Sequence, residues 1–273
     1  MDDKLRLMAV HAHPDDEVIP TGGTLARYGA EGIETIVVTC TDGRQGFAPG
    51  FANPGEEGHV PEAVAEVRAG ELDRSCALLG ITHLERLGYG DSGMRGWAGN
   101  SDDRSFCNAD FTEAAGRVAE LMRYYRPQVV VTYDERAGEG HPDHVMAHRV
   151  ALAAFEQSGV PAKFYLCIRS AAFTAKMAKA RDASGWESPR PSSGRPRRGR
   201  TSDEDLTTFI DTEDYALVKR QALAAHASQI NGSHWLVYPD ETVRKLFAQE
   251  TYIRLHDRTG APLPEDDLFA GLR

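Results

Sequence analysis

Two short stretches of this 273-residue chain carry side chains that could act together on one bond. The first, AHPDDE at Ala12–Glu17, places His13 and Asp16 on one tight turn with Asp15 between them. The second, GHPDH at Gly140–His144, offers His141, Asp143 and His144 at the start of a helix. Imidazoles and carboxylates are zinc donors, and three protein ligands with one open position is the usual layout of a catalytic site. If both loops end neighbouring strands, His13, Asp16 and His144 can meet around one ion. Asp15 then sits beside the ion without being needed as a ligand, free to take a proton from attacking water. His141, about one helical turn from His144, could aim at the developing oxyanion or at the leaving amine. His11, Glu17 and Asp143 are expected to support these groups from behind. Each motif alone has a plainer reading. A carboxylate run after a strand is often a helix N-cap favoured by the macrodipole, and HPDH alone could be a capped helix start. Two motifs at strand ends, both beginning His-Pro-Asp, point instead to a metal-dependent hydrolase.

The surrounding pattern supplies the strand ends. Leu5–His11, Ile33–Cys40, the start of His83–Met94, Gln128–Asp134 and Lys163–Ile168 read as strands. The second of these is β-branched and continuous, as a strand buried on both faces should be. Helical segments follow at 21–32, at Pro61–Gly80 with proline first and glycine last, at 111–127 and at 141–159. Strands alternating with helices predict an α/β fold: a Rossmann-like, mostly parallel sheet flanked by helices. In such sheets functional groups collect beyond the carboxyl ends of the strands, where both motifs fall. The catalytic core is expected over about residues 1–170. A Pro-, Gly-, Ser- and Arg-rich surface loop is expected over 181–205, and a C-terminal extension of strand, helix, helix and strand over 206–273, all within one domain.

Composition narrows the function classes. Hydrophobic content of 41% and charged content of 26% are ordinary for a globular protein. A formal net charge of −10 argues against nucleic acid or an anionic membrane as partner. The start, MDDKLRLMAV, is acidic where a signal peptide is basic, and no run approaches the roughly 18 apolar residues of a membrane helix. Cys40, Cys76, Cys107 and Cys167 are widely spaced with no CxxC pair, as expected of reduced thiols in a cytoplasmic protein. A nucleotide-binding module is disfavoured because no GxGxxG follows the first strand, and acidic residues there would repel phosphate.

The paired AHPDDE and GHPDH motifs resemble the LmbE-like, or PIG-L, family of zinc-dependent N-deacetylases, over roughly the first 160 residues. KRQALAAHASQI at Lys219–Ile230 is similar to that family's later helix. The resemblance implies removal of an N-acyl group from an amino sugar. It implies metal ligation by His13, Asp16 and His144, Asp15 as general base, and His141 as the group that stabilises the oxyanion and protonates the amine. The implied ion is zinc, although two histidines and an aspartate with open positions suit iron(II) as well. The implied partner is a small amino-sugar or amide substrate, and a homo-oligomer is compatible with these features. Arg68 in VRAGEL stands where mycothiol-pathway members carry a sugar-contacting arginine. Asp91 and Met94 in DSGM resemble the loop whose aspartate binds sugar hydroxyls. Loops 42–60 and 92–110 would shape the aglycone side.

Two departures bear on substrate. The mycothiol-pathway enzymes carry a tyrosine two residues before the histidine of HPDH, where this chain has Glu139. The conjugate amidases carry a lysine shortly after HPDDE, where this chain reads VIPTGG. A deacetylase of another amino-sugar compound, as in secondary metabolism, is therefore expected. A mycothiol S-conjugate amidase is the alternative within enzymes, and a metal-binding regulatory protein the alternative outside them.

Overall fold

The apolar runs become the interior strands of one sheet. A computed structural model describes residues 4–48, 50, 52–135, 141–186, 202–230 and 234–273. Five parallel strands, β1 (Arg6–His11), β2 (Glu34–Thr41), β3 (His83–Tyr89), β4 (Val129–Tyr133) and β5 (Lys163–Ile168), are joined through α1 (Gly22–Ala30), α2 (Pro61–Leu79), α3 (Phe111–Tyr125) and α4 (Pro142–Ser158). The chain continues through α5 (Ala171–Ser184), β6 (Thr208–Asp211), α6 (Ala216–Ala225), α7 (Ala227–Ile230), α8 (Asp240–Leu246) and β7 (Gln249–Asp257). Strand order is β3-β2-β1-β4-β5-β7-β6, with β7 and β6 antiparallel to their neighbours.

Met8, Ala9 and Val10 of β1, Ile36 to Val38 of β2 and Val129 to Val131 of β4 are all buried. They need apolar side chains on both faces because helices cover both. One helical layer joins α1, α2 and α6, and the other joins α3 and α4. Each buried Val, Leu or Ile contributes roughly 1.5–3 kcal/mol relative to exposure. The helices stop where local chemistry dictates. Asp110 accepts from the Glu113 amide at the start of α3, and Gly159 at φ +65° closes α4. Strand order reverses between β1 and β4, so the loops after these two strands open away from each other and leave a crevice.

The C-terminal part departs from the expected boundaries. Helix α5 occupies 171–184, running into the segment read as a loop from 181, and Asp203–Asp205 forms a short 3-10 turn. The Asp203 carboxylate caps α5 by accepting from the Ala171 and Ala172 amides at 2.6 and 3.0 Å. Residues 187–201 of that expected loop lie outside the described residues. The four cysteines are unpaired, with Cys40, Cys76 and Cys167 buried. Among the described residues no helix is long and apolar enough to cross a membrane.

Strand β7 ties this C-terminal part to the first motif. Its Glu250 is buried, and its two carboxylate oxygens accept from the Gly23 and Thr24 amides at 2.8 Å each, capping α1. Lys219 of α6 meets the same carboxylate at 2.6 Å and donates to the Ile19 carbonyl at 2.7 Å. Removing one member of a buried ion pair leaves an uncompensated charge. Lys219→Met should therefore cost about 3 kcal/mol in urea unfolding, the low end for such pairs because two amides still hold Glu250. Lys219→Met with Glu250→Gln should recover part of that loss. A single-variant cost below about 1 kcal/mol would show that the pair does not anchor the loop.

Candidate metal centre

Both motifs lie at the crevice. The first is the turn that leaves β1, in which the Asp16 amide donates to the His13 carbonyl at 3.2 Å and the Val18 amide to the Asp15 carbonyl at 3.2 Å. The second opens α4, where Pro142 fixes the first helical position and His141 stands at the cap. Helix geometry then brings His144 over the first turn. Asp16 Oδ2 lies 3.1 Å from His13 Nδ1 and 3.3 Å from His144 Nε2. His13, Asp16 and His144 offer three ligand atoms within 4.8 Å of one another. Two donors at about 2.1 Å on a tetrahedral ion stand about 3.4 Å apart, so both measured separations suit a shared ion.

The donors are prepared for that role. His13 Nε2 lies 3.2 Å from Asp143 Oδ2, which can only accept, so Nε2 donates there and Nδ1, facing Asp16, is the nitrogen left for a cation. Asp143 is itself fixed by the Ser92 amide at 2.9 Å and by the Ser92 hydroxyl. Tyr133, the last residue of β4, stacks on the His144 ring with centroids 4.4 Å apart and planes 5° apart. Its hydroxyl accepts from the Ala12 amide at 2.8 Å. His11 Nε2 meets Thr21 Oγ1 at 2.9 Å behind the turn.

Charge in the site is strongly one-sided. Burial disfavours charge on His13, but Asp91, Asp143 and Asp16 outweigh it and hold its pKa well above the usual imidazole value. Burial likewise opposes ionisation of Asp16, and His144 and His13 overcome it and hold the carboxyl well below the usual range. Burial, aided by His13 and His144, pushes His141 down to about 2, so its ring is neutral. Several buried carboxylates in this arrangement favour a cation among them. A second group, His13, Asp91, His141 and Asp143, also comes within 4.8 Å. There Asp143 is already engaged by Ser92, and Asp91 accepts from the Gly93 amide at 2.8 Å and the Gln45 amide at 3.2 Å. Asp16 and His144 keep 19% and 23% of their side chains exposed, whereas in the second group only His141 does so, at 18% against 0% for Asp143, so the first group offers more donors to water and substrate.

Asp15 stands next to these donors in an uncommon backbone conformation, φ +124°. For a non-glycine residue this costs of order 1–3 kcal/mol and persists only where surroundings impose it. Arg68 of α2 supplies one restraint. Its guanidinium lies 3.1 Å from Asp15 Oδ2 and bonds the Pro14 carbonyl and the Gly43 carbonyl, the latter at 2.7 Å. Gly43, at φ +68°, leaves the room that this guanidinium fills. Glu17 supplies another by accepting from the Asp15 amide at 3.0 Å. Burial pushes the Asp15 pKa up, with Arg68 opposing and Asp16 adding to it.

The residues expected to bind substrate sit deeper than anticipated. Arg68 is buried, with its fork committed to the Asp15 turn. Asp91 is also buried, with Oδ1 at 3.4 Å from His13 Nε2 and 3.7 Å from His141 Nε2. Met94 is half-buried on the same loop, where its carbonyl accepts from the Trp97 amide. Glu139 lies outside the described residues. Sequence reasoning missed Tyr133, Ser92, Ser75 and His226. The aromatic end of VVVTY was the signal for Tyr133, and DSGM and HASQ contained Ser92 and His226, whereas nothing marked Ser75 on α2.

Comparison with known proteins follows the same motifs. The profile of the PIG-L family, described as GlcNAc-PI de-N-acetylase, matches residues 8–155. The 1D-myo-inositol 2-acetamido-2-deoxy-alpha-D-glucopyranoside deacetylase of Salinispora arenicola is 39% identical over 98% of this chain and 91% of its own. The mycothiol S-conjugate amidase of Streptomyces coelicolor is 36% identical over 100% and 99%. Among solved structures, N,N'-diacetylchitobiose deacetylase from Pyrococcus horikoshii superposes with a TM-score of 0.56 at 20% identity, covering 88% of this chain and 73% of that one. This chain belongs to the PIG-L family of de-N-acetylases.

Proposed function

We propose that this protein is a metal-dependent amide hydrolase that removes the N-acetyl group from an amino-sugar-containing small molecule. The observation that carries the reading is the convergence of His13, Asp16 and His144 within 4.8 Å, with Asp15 beside them. His13, Asp16 and His144 would hold a divalent ion, for which zinc is the natural choice with two imidazoles and one carboxylate. When bound, such an ion supplies Lewis acidity to the amide oxygen and makes water more acidic. Asp15, raised by burial and steadied by Arg68, takes the proton of the attacking water. His141, neutral at the mouth of α4, donates an N–H hydrogen bond to the oxyanion as the carbonyl becomes tetrahedral. Asp143 keeps His13 in the tautomer that presents Nδ1.

The relatives named as deacetylases act on an acetylated glucosamine joined to inositol, and this chain matches them almost end to end. Val18, Ile19 and Pro20 follow HPDDE and offer no cation for the carboxylates of a thiol conjugate. Deacetylation is therefore preferred to conjugate cleavage. A cytoplasmic setting agrees with four unpaired cysteines.

Asp15→Asn should keep one bound metal per chain by plasma emission spectrometry and lose about 10²–10⁴-fold in kcat. Normal turnover in that variant would remove Asp15 from the role of base. His13→Ala and His144→Ala should each lose the metal together with activity, and either variant with full stoichiometry would overturn the ligand set. With the zinc-loaded enzyme, acetate and free amine should appear from 1D-myo-inositol 2-acetamido-2-deoxy-alpha-D-glucopyranoside faster than mercapturate from a mycothiol S-conjugate. The reverse ranking would favour the amidase reading.

A further inference from the structure

Something must hold Asp15 at φ +124°, and most of what does so comes from residues far from the motif. Glu17 folds back beneath the turn. Its Oε2 accepts from the Asp15 amide at 3.0 Å, and its Oε1 accepts from Ser75 Oγ at 2.5 Å and from His226 Nε2 at 2.7 Å. Glu17, Ser75 and His226 all have 0% exposure, so water cannot stand in for a missing donor. His226 sits between α6 and α7, 209 residues from Glu17, and its Nδ1 has no hydrogen-bond partner among the described residues. Among the described residues, Nε2 to Glu17 is therefore the one hydrogen bond of a ring taken wholly out of water. A ring needed only for packing would be served by an apolar side chain at less desolvation cost.

The same segment is fixed to the helix that carries Arg68. Ser228 donates to Glu71 through its amide and its hydroxyl, at 2.7 Å each. Helix α2 thus presents Arg68 to the Asp15 carboxylate and Ser75 to Glu17, while Glu71 docks the segment that carries His226.

We infer that His226 is a positioning residue for the reaction: by fixing Glu17 it holds the Asp15 amide, and through it the carboxylate, in line with the attacking water. Among the described residues His226 makes no hydrogen bond to His13, Asp16 or His144; its ring bonds Glu17, and its charge also acts on Asp15 across the turn. The inference rests on Asp15 as proton acceptor, and the test separates the two ideas.

His226→Leu and His226→Gln would be measured in the wild-type and Asp15→Asn backgrounds, with zinc-loaded full-length protein and the acetylated glucosamine–inositol compound as probe. Misplacing a reacting group by about 1 Å costs about 100-fold. His226→Leu should therefore lower kcat about 10- to 100-fold, with KM and metal stoichiometry unchanged. His226→Gln, whose amide can still donate to Glu17, should recover most of the loss. In Asp15→Asn, where no base remains to be aimed, the Leu substitution should cost less than about 3-fold. Equal losses in both backgrounds, loss of metal, a change confined to KM, or no recovery by Gln would each overturn the inference. If the Leu variant does not fold, Ser75→Ala removes the other donor to Glu17 and should lower kcat alone, several-fold; unchanged kcat there overturns it equally. Full activity of Asp15→Asn by itself is a different result, the failure of the base assignment.

Discussion

The half-buried carboxylate of Asp16, set between the imidazoles of His13 and His144, is where the two halves of the site meet. A carboxylate and two rings at this spacing, largely removed from water, call for a cation, and the rest of the crevice is arranged around that demand. Asp143 orients His13, Tyr133 stacks on His144, and Ser92 holds Asp143, so each donor is fixed by a group that has its own partner. Such arrangements keep ligands in place before the ion arrives and set which nitrogen faces it.

The sheet makes the meeting possible. Two loops far apart in sequence become neighbours because β1 and β4 lie side by side where strand order reverses. Parallel strands place both carboxyl ends on one rim, and α4 begins there with a proline that points its first turn at the crevice. Remote anchors complete the frame. Glu250 caps α1 with Lys219 at its side, and His226 and Ser75 hold Glu17 under the Asp15 turn. The loop that must be most exact is thus supported from the C-terminal third of the chain.

Much of this was legible in the residues. The interior strands announced themselves as continuous apolar runs, and HPDDE and HPDH stood at strand ends as charge that a plain helix cap does not need. Other features were not legible, for physical reasons. Helix α5 buries only Met177, so its sequence carries no strong apolar stripe. The insertion of antiparallel β7 between β5 and β6 depends on tertiary pairing that periodicity does not encode. The contacts of Arg68 with the Asp15 turn and of Asp91 with His13 join residues far apart in sequence, and their spacing does not encode them. The left-handed backbone at Asp15 has no sequence signature, since the usual residue there would be glycine.

The most direct test of the account is the position of the ion. Anomalous diffraction from crystals of the zinc-loaded protein, recorded on both sides of the zinc edge, would locate it without reference to activity. The account predicts one peak within about 2.0–2.2 Å of His13 Nδ1, a carboxylate oxygen of Asp16 and His144 Nε2. A peak on the other side of the His13 ring, among Nε2, Asp91, His141 and Asp143, would contradict it.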